Sequence, residues 1–107
     1  GNIANAMLQT PNNRTQVRAS HILVKTEKEA IELRKAIVNN QITFEKAAQQ
    51  YSLCPSGKNG GDLGFFGRHQ MVKRFEDAAF NAPIGVVTSP VKTDFGYHLI
   101  KVYAEKF

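Results

Sequence analysis

Apolar residues recur along the first half of the chain with two different periods, and these periods predict where strands and helices lie. Residues 17–25, VRASHILVK, are rich in β-branched and aliphatic side chains at odd and even positions alike, which predicts a strand buried on both faces. Thr26, with Glu29 three residues later, is typical of a helix start, and the spacing that follows predicts a helix of about 13 residues. Thr43 begins a second helical pattern, with apolar residues at i, i+3, i+4 and i+7.

The second half of the chain alternates short apolar segments with turn signals. DLGFFG at residues 62–67 predicts a short strand, and its glycines allow another backbone or a ligand to approach closely. Residues 72–81 predict a third helix, which Pro83 ends, and two short strands joined by a turn at residues 94–96 follow. Because too little chain separates these strands for a crossover helix, we expect an α+β domain with a small, mainly antiparallel sheet.

Composition narrows the class of protein. With 107 residues, the chain is long enough for one hydrophobic core and too short for two. No apolar run approaches the roughly 18 residues of a membrane-spanning helix, so we expect no membrane span. The net charge of +5 comes from scattered Lys and Arg residues, which argues against specific nucleic-acid binding. The single cysteine, Cys54, can form no internal disulfide; this slightly favours the cytoplasm without excluding an extracytoplasmic compartment.

Residues 1–16, GNIANAMLQTPNNRTQ, differ from the rest of the chain because they offer little to bury. They also lack the basic start and apolar centre of a signal peptide. We expect a flexible lead, or the stub of a neighbouring domain, followed by one domain over residues 17–107. Since the chain starts with Gly1 and not with Met, we interpret it as a processed or excised piece that acts as a monomer or as one domain of a larger chain.

Several kinds of site require motifs that the sequence lacks. The glycines at 61, 64 and 67 do not have the spacing of a nucleotide-binding loop. The histidines and the cysteine are too scattered for a metal site, so we expect neither a cofactor nor a metal. A covalent role for Cys54 with a histidine base would need an orienting Asn or Asp and a helix N-terminus beside the thiol, and neither is evident. His69 lies in a polar turn and is interpreted as solvated.

Two histidines and three apolar residues each allow two interpretations. His21 and His98 interrupt aliphatic strands, so they could be separate buried histidines bonded to backbone carbonyls, or a paired network in the middle of a sheet. Met71 and Phe75 are four residues apart and share a helix face, with Leu63 shortly upstream. These three residues are either ordinary core or the lining of a shallow pocket the width of a small ring.

Three separate segments together resemble the parvulin family of peptidyl-prolyl cis/trans isomerases. They are ASHILVK at 19–25, YSLCPSGKNGGDLGFFGRHQMVKRFEDAAF at 51–80 and TSPVKTDFGYHLIKV at 88–102. The resemblance implies a four-stranded, mainly antiparallel sheet surrounded by about four helices. It also implies an enzyme that rotates X-Pro bonds in unfolded or flexible protein segments, without a cofactor, and so assists folding. A peptide-binding chaperone module of a larger foldase, with little turnover, is the alternative.

The resemblance assigns catalytic roles to four residues. It implies that His21 and His98 are the family's histidine pair on the two central strands. It implies that Cys54 faces the rotating bond without attacking it, and that Thr93 belongs to the hydrogen-bond network behind the histidines.

The resemblance also implies where the substrate lies. The pocket for the proline ring would be formed by Leu63, Met71 and Phe75. Further contacts to the peptide would come from Lys25, Phe66 and Val72.

One departure from the family concerns phosphate. Members selective for phosphoserine or phosphothreonine before proline carry a longer loop with paired arginines after the first strand, whereas in this chain Lys25 runs directly into TEKEA. Only Lys25 could meet a phosphate, and Glu27 and Glu29 nearby would repel it. We therefore predict X-Pro substrates with no requirement for phosphate.

Overall fold

The computed structural model describes residues 14–107, which form four strands, three α-helices and one 3-10 helix. The first half contains β1 (Gln16–Val24), α1 (Glu27–Val38), α2 (Phe44–Tyr51) and the 3-10 helix (Pro55–Asn59). The second half contains β2 (Asp62–Gly67), α3 (Lys73–Asn81), β3 (Val91–Thr93) and β4 (Gly96–Lys106). The α+β fold class is confirmed. Residues 1–13, which make up most of the predicted lead, lie outside the described residues.

Two of the three α-helices begin at the threonine caps that the sequence predicts. The Thr26 hydroxyl accepts the backbone N–H of Glu29, and the Thr43 hydroxyl accepts that of Lys46, so each satisfies a free donor in the first turn. The start of α3 differs, because Val72 precedes it and has no side-chain acceptor. The last strand was predicted to be short, which is wrong: β4 has 11 residues, because it pairs along the whole of β1.

The sheet has the strand order β2-β1-β4-β3, and neighbouring strands run antiparallel. Its central pair, β1 and β4, places Leu23 opposite His98 and His21 opposite Ile100. Both pairings of β1 shift register just after Arg18. The two histidine-bearing strands are therefore direct neighbours, as the second of the two interpretations of the histidines requires.

Alternate residues of the central strands face two separate cores. The α3-side core combines side chains from β1, β2 and β4 with α3 and the residue after it, namely Val17, Ala19, Phe66, Phe75, Ala79, Phe80, Ala82, Ile100 and Val102. The α1/α2-side core combines the other face of β1 and β4 with the first two helices and one residue from the segment before β3, namely Ile22, Val24, Ala30, Ile37, Phe44, Ala47, Ala48, Val87 and Leu99. Burial on both faces explains why the strands read as nearly continuous apolar segments.

The described residues before β1 are anchored to the domain. The Arg14 side chain is only 3% exposed and pairs with Glu105, with 2.7 Å between Nε and Oε1. Its Nη1 donates to backbone carbonyls at the end of α3, most closely to that of Ala82 at 2.7 Å. Thr15 donates its backbone N–H to the carbonyl of Lys106. Among residues 14–107, no helix is long and apolar enough to cross a membrane.

Candidate active site

An open groove of about 400 Å³ lies beside the N-terminal end of α3. Its walls are almost entirely apolar, and its lining residues are His21, Leu23, Leu53, Cys54, Pro55, Leu63, Met71, Val72, Phe75, Phe95 and His98. The volume lies in the usual range for sites that bind small ligands or short peptide segments. No Lys or Arg is among these residues, so no permanently cationic side chain of the described residues lines the groove.

The three predicted pocket residues come together in this groove. Leu63 comes from β2, Met71 from the loop between β2 and α3, and Phe75 from the first turn of α3. Phe75 is buried, whereas Leu63 and Met71 remain partly exposed beside the α3-side core. These residues therefore lie at the boundary between the core and the groove, and their role in holding a ring stays a prediction.

The two histidines form a network through the middle of the sheet. His21 and His98 are 6% and 4% exposed, and their Nδ1 atoms are 3.0 Å apart. At one end, His98 Nε2 lies 2.7 Å from the Thr93 hydroxyl. At the other end, His21 Nε2 lies 3.1 Å from the Ser56 hydroxyl. All four imidazole nitrogens thus have a partner, which a buried imidazole requires.

The network can order its protons in two ways. In one, Thr93 donates to His98, His98 Nδ1 donates to His21 Nδ1, and His21 Nε2 donates to Ser56. In the other, every donor and acceptor is exchanged. Both arrangements keep both rings neutral, whereas protonation of both would set two N–H groups against each other across the 3.0 Å gap.

The environment of the imidazoles favours this neutral state. Burial, together with repulsion from His98, lowers the pKa of His21 to about 4. Burial also lowers the pKa of His98. At neutral pH neither ring carries a charge, so the pair is a polar hydrogen-bonded scaffold and not a cationic one.

Phe75 joins the network to the groove. Its ring is nearly perpendicular to both imidazoles, at 85° to His21 and 80° to His98, with ring centroids 5.4 and 5.2 Å apart. Edge-to-face contacts of this kind are favourable beyond the area that they bury. The position of the groove floor is therefore set by the histidines behind it.

Cys54 stands at the edge of the groove, just before the 3-10 helix. The sequence indicated a glycine-rich loop at this point, and the structure shows a short helical turn after the thiol. This turn is tightly seated: a Cβ at Gly57 would lie 2.6 Å from the carbonyl oxygen of Ala48. A Cβ at Gly61, where φ is +85°, would lie 2.3 Å from the carbonyl oxygen of His21. The glycines let the cysteine-bearing segment pack directly on α2 and β1.

Three predicted residues lie elsewhere. Thr93 is behind His98, in the network and not in the groove lining. Lys25 is exposed beyond the end of β1 and does not line the groove. Phe66 was assigned a peptide contact, and this needs correction: its side chain is 4% exposed in the α3-side core, because it lies opposite Val17 on the inner face of β2. Val72 lines the groove and is 46% exposed, and its contact to the peptide stays a prediction.

Sequence reasoning missed several groove residues, two of which lie in loops. Leu53 and Phe95 stand on the rim, 63% and 68% exposed, and Pro55 and Leu23 complete the lining. Ser56 was also missed as the end of the network. For Leu53 and Phe95 the sequence offered only an indirect signal, because Leu53 precedes Cys54 and Phe95 lies within the 94–96 turn. Among residues 14–107, no three His, Cys, Asp or Glu side chains come together as a metal site would require.

Comparison with protein-family models gives one match that covers nearly the whole chain. The model described as the PPIC-type PPIase domain of rotamases matches residues 7–104. This span includes every strand except the end of β4, and every residue of the groove.

Known proteins resemble the chain in sequence and in structure. The foldase protein PrsA of Geobacillus sp. (strain WCH70) is 54% identical over 92 residues, which are 85% of this chain and 33% of that protein. The crystal structure of peptidylprolyl isomerase (PrsA) from Bacillus anthracis gives a TM-score of 0.83 at 40% identity, over 88% of this chain and 43% of that one. The solution structure of NmPin, the parvuline of Nitrosopumilus maritimus, gives 0.76 at 40% identity, over 84% of this chain and 97% of that one. The chain thus spans about a third of the foldase's length and matches nearly all of the Nitrosopumilus protein.

Proposed function

The chain belongs to the PPIC-type rotamase family of peptidyl-prolyl cis/trans isomerases, and we propose that its groove holds the proline ring of an X-Pro segment while the imide bond rotates. The observation that carries this proposal is the convergence of Leu63, Met71 and Phe75 in one apolar groove, directly in front of the histidine pair. A ring-sized apolar floor suits proline, whose side chain is cyclic and apolar.

The reaction requires no bond to be broken in the protein or the substrate. Partial double-bond character gives the imide a rotation barrier of about 18 to 20 kcal/mol. The enzyme must bind the twisted imide more tightly than either planar form, and each tenfold gain in rate corresponds to about 1.4 kcal/mol of that difference. A twisted imide has lost its resonance and is less charge-separated, so an apolar groove without cations favours it over the planar forms.

The histidine network supports this step through position and not through proton transfer. Because the pKa of His21 is lowered to about 4, the ring is neutral at physiological pH. We assign to the pair the role of fixing the Phe75 ring on one side and the segment of Ser56 on the other. Cys54 lines the path of the rotating carbonyl and supplies local polarity without covalent attack.

The substrate class follows from charge. The groove lining contains no Lys or Arg, and Lys25 lies outside it. We propose X-Pro segments of unfolded or flexible proteins as substrates, with no requirement for phosphate. The relatives named as foldases support a role in protein folding. The exposed rim residues Leu53 and Phe95 suit binding of unfolded chain, which keeps a chaperone module with little turnover as the second candidate.

An exchange measurement on an Xaa-Pro tetrapeptide tests the proposal. NMR exchange spectroscopy should show catalysed cis/trans exchange with the unmodified chain, and Phe75→Ala should lower the exchange rate at least about tenfold. A chain that binds the peptide without accelerating exchange would instead be the chaperone module. A phosphorylated peptide that turned over about a hundredfold faster than its unphosphorylated counterpart would reject the substrate class.

A second variant tests the noncovalent mechanism. Cys54→Ser keeps a small polar group at the groove edge, so we expect exchange within about tenfold of the unmodified chain. Mass spectrometry of the chain during turnover should show no added mass. A substrate adduct on Cys54 would overturn the mechanism.

A further inference from the structure

The five-residue loop between β2 and α3, residues 68–72, brings Met71 to the groove without regular secondary structure to hold it. His69 in this loop has a φ of +69°, in the left-handed region that side chains other than glycine adopt at a cost. A loop in such a conformation needs fixed contacts if the wall that it forms is to keep its place.

Side chains from outside and inside the loop supply those contacts. Gln70 Oε1 accepts the backbone N–H of Gly67 at 2.8 Å, which closes the loop on the end of β2. The guanidinium of Arg68 lies 4.4 Å from the centre of the Phe80 ring on α3. The third contact is made by Glu76, whose Oε1 accepts the backbone N–H of His69.

Glu76 is unusual among the acidic residues of the described chain because it is only 7% exposed. A buried carboxylate is costly unless it is hydrogen-bonded. It follows Phe75 directly on α3, at a helix start where Val72 provides no side-chain cap. The first turns of α3 therefore carry both Phe75, which forms the floor of the groove, and Glu76, whose carboxylate bonds the loop that carries Met71.

We propose that Glu76 is a positioning residue of the isomerase, which fixes the Met71 wall of the groove by accepting the His69 N–H. The inference rests on the proposed function of the groove, because a tighter wall matters only if a proline ring is held there. Glu76 does not line the groove, so it acts on the substrate only through the loop.

The test compares Glu76→Ala with Glu76→Gln in the full chain of 107 residues. Loss of the acceptor frees the loop, and the free energy needed to order it again on binding should weaken binding of an Xaa-Pro tetrapeptide by up to about tenfold. Gln keeps an oxygen acceptor of the same length, so it should restore binding to within about twofold of the unmodified chain. The tetrapeptide Kd and the NMR signal of the ¹³C-labelled Met71 methyl group are measured together.

Asp77→Gly is the matched control. Asp77 is exposed on α3 and does not line the groove, so glycine there weakens the helix without removing a contact to the loop. It should lower the melting temperature and leave the Kd and the Met71 methyl signal unchanged. If Glu76→Ala does not fold, Glu76→Asp takes its place, because it keeps the charge but is one methylene too short to reach the His69 N–H in the same way.

The outcomes separate this inference from the proposed function. Weaker binding and a shifted Met71 methyl signal in the Ala or Asp variant, with recovery in the Gln variant, support the positioning role. An unchanged Kd with only a lower melting temperature, or a Gln variant as weak as the Ala variant, overturns it. Absence of catalysed exchange in the unmodified chain overturns the proposed function, and the Kd and the methyl signal then still decide the role of Glu76.

Discussion

The two faces of the sheet are built from alternate residues of the same strands, yet only the α3 side carries a groove whose walls are almost entirely apolar; the depressions of similar size on the α1/α2 side are lined in part by charged residues such as Glu29 and Glu45. On the α1/α2 side, two helices close over Ile22, Val24 and Leu99. On the α3 side, a single nine-residue helix covers Val17 and Ile100, while the space near His21 and His98 stays open. The open side also holds the buried histidines, Glu76 and the Arg14 anchor.

The difference shows how one small domain separates stability from binding. The α1/α2 side, called the closed face below, buries its apolar side chains under two helices at the close packing of an ordinary protein interior. The α3 side, called the open face, leaves some apolar side chains partly exposed and buries polar groups that hold them in place. Changes on the closed face should therefore alter stability alone, and changes on the open face should alter stability and isomerase activity together.

The largest effect is expected from truncation on the closed face. Phe44 is 2% exposed in the α1/α2-side core, so Phe44→Ala should lower the free energy of unfolding by about 3 to 5 kcal/mol through lost burial and the cavity left behind. Urea unfolding measures the loss. The exchange rate per folded molecule should not change. A rate that still falls after correction for the folded fraction would show that the closed face also contributes to activity.

The next effect comes from acid on the open face. His21 has a pKa of about 4 in the folded protein against about 6.5 in the unfolded chain, so the unfolded state binds the proton first as the pH falls. Stability is therefore complete above pH 6.5 and falls by about 3 kcal/mol as the pH decreases to 4. Urea unfolding at several pH values checks this; His21→Asn should reduce the slope and leave the part that His98 contributes.

A smaller effect is expected at the end of the network. Thr93→Val removes the hydroxyl that lies 2.7 Å from His98 Nε2 and that accepts the backbone N–H of Phe95. The unpaired imidazole should cost about 1 to 3 kcal/mol of stability, with a lower exchange rate because Phe75 loses its fixed support. Thr93→Ser keeps the hydroxyl and serves as control. Normal exchange in the Val variant would show that the network and the groove are independent.

The smallest effect returns to the closed face. Thr43→Ala removes the acceptor of the Lys46 N–H at the start of α2, which should cost about 1 kcal/mol. The corresponding fall in melting temperature is about 4 to 8 °C for a domain of this size. Thr43→Ser should keep most of the stability. A change in the exchange rate of either variant would show that α2 contributes to isomerase activity and not to stability alone.

The two faces also differ in how far the sequence predicts them. The closed face follows from periodic patterns: Thr43 and the apolar spacing after it place α2 correctly. On the open face, His21 and His98 were predictable because a polar residue interrupts an aliphatic strand. Leu53 and Phe95 were not, because loop residues have no period that marks an inward direction.

Two further residues show why local pattern was not enough. Phe65 and Phe66 are adjacent and equally apolar, and only the pairing of β2 with β1 decides that Phe66 points inward. Arg14 sits in a polar segment with no feature that marks it as buried. Its partners, Glu105 and the carbonyls at the end of α3, are more than 60 residues away in the chain. Such contacts depend on the completed fold and not on any local sequence.

The pairing of the first strand with the last has a mechanical consequence. Thr15 and Lys106 are bonded to each other, and from there β1 and β4 run antiparallel toward the groove. Tension applied between these two residues would act across the ladder and open its bonds one after another, whereas tension along the strands would load them together. The bonds of Arg14 would break first, because they lie at this end of the strand pair. The β1–β4 pair should then separate from Gln16 and Lys106 onward, and the part of the sheet beside the groove should unfold last.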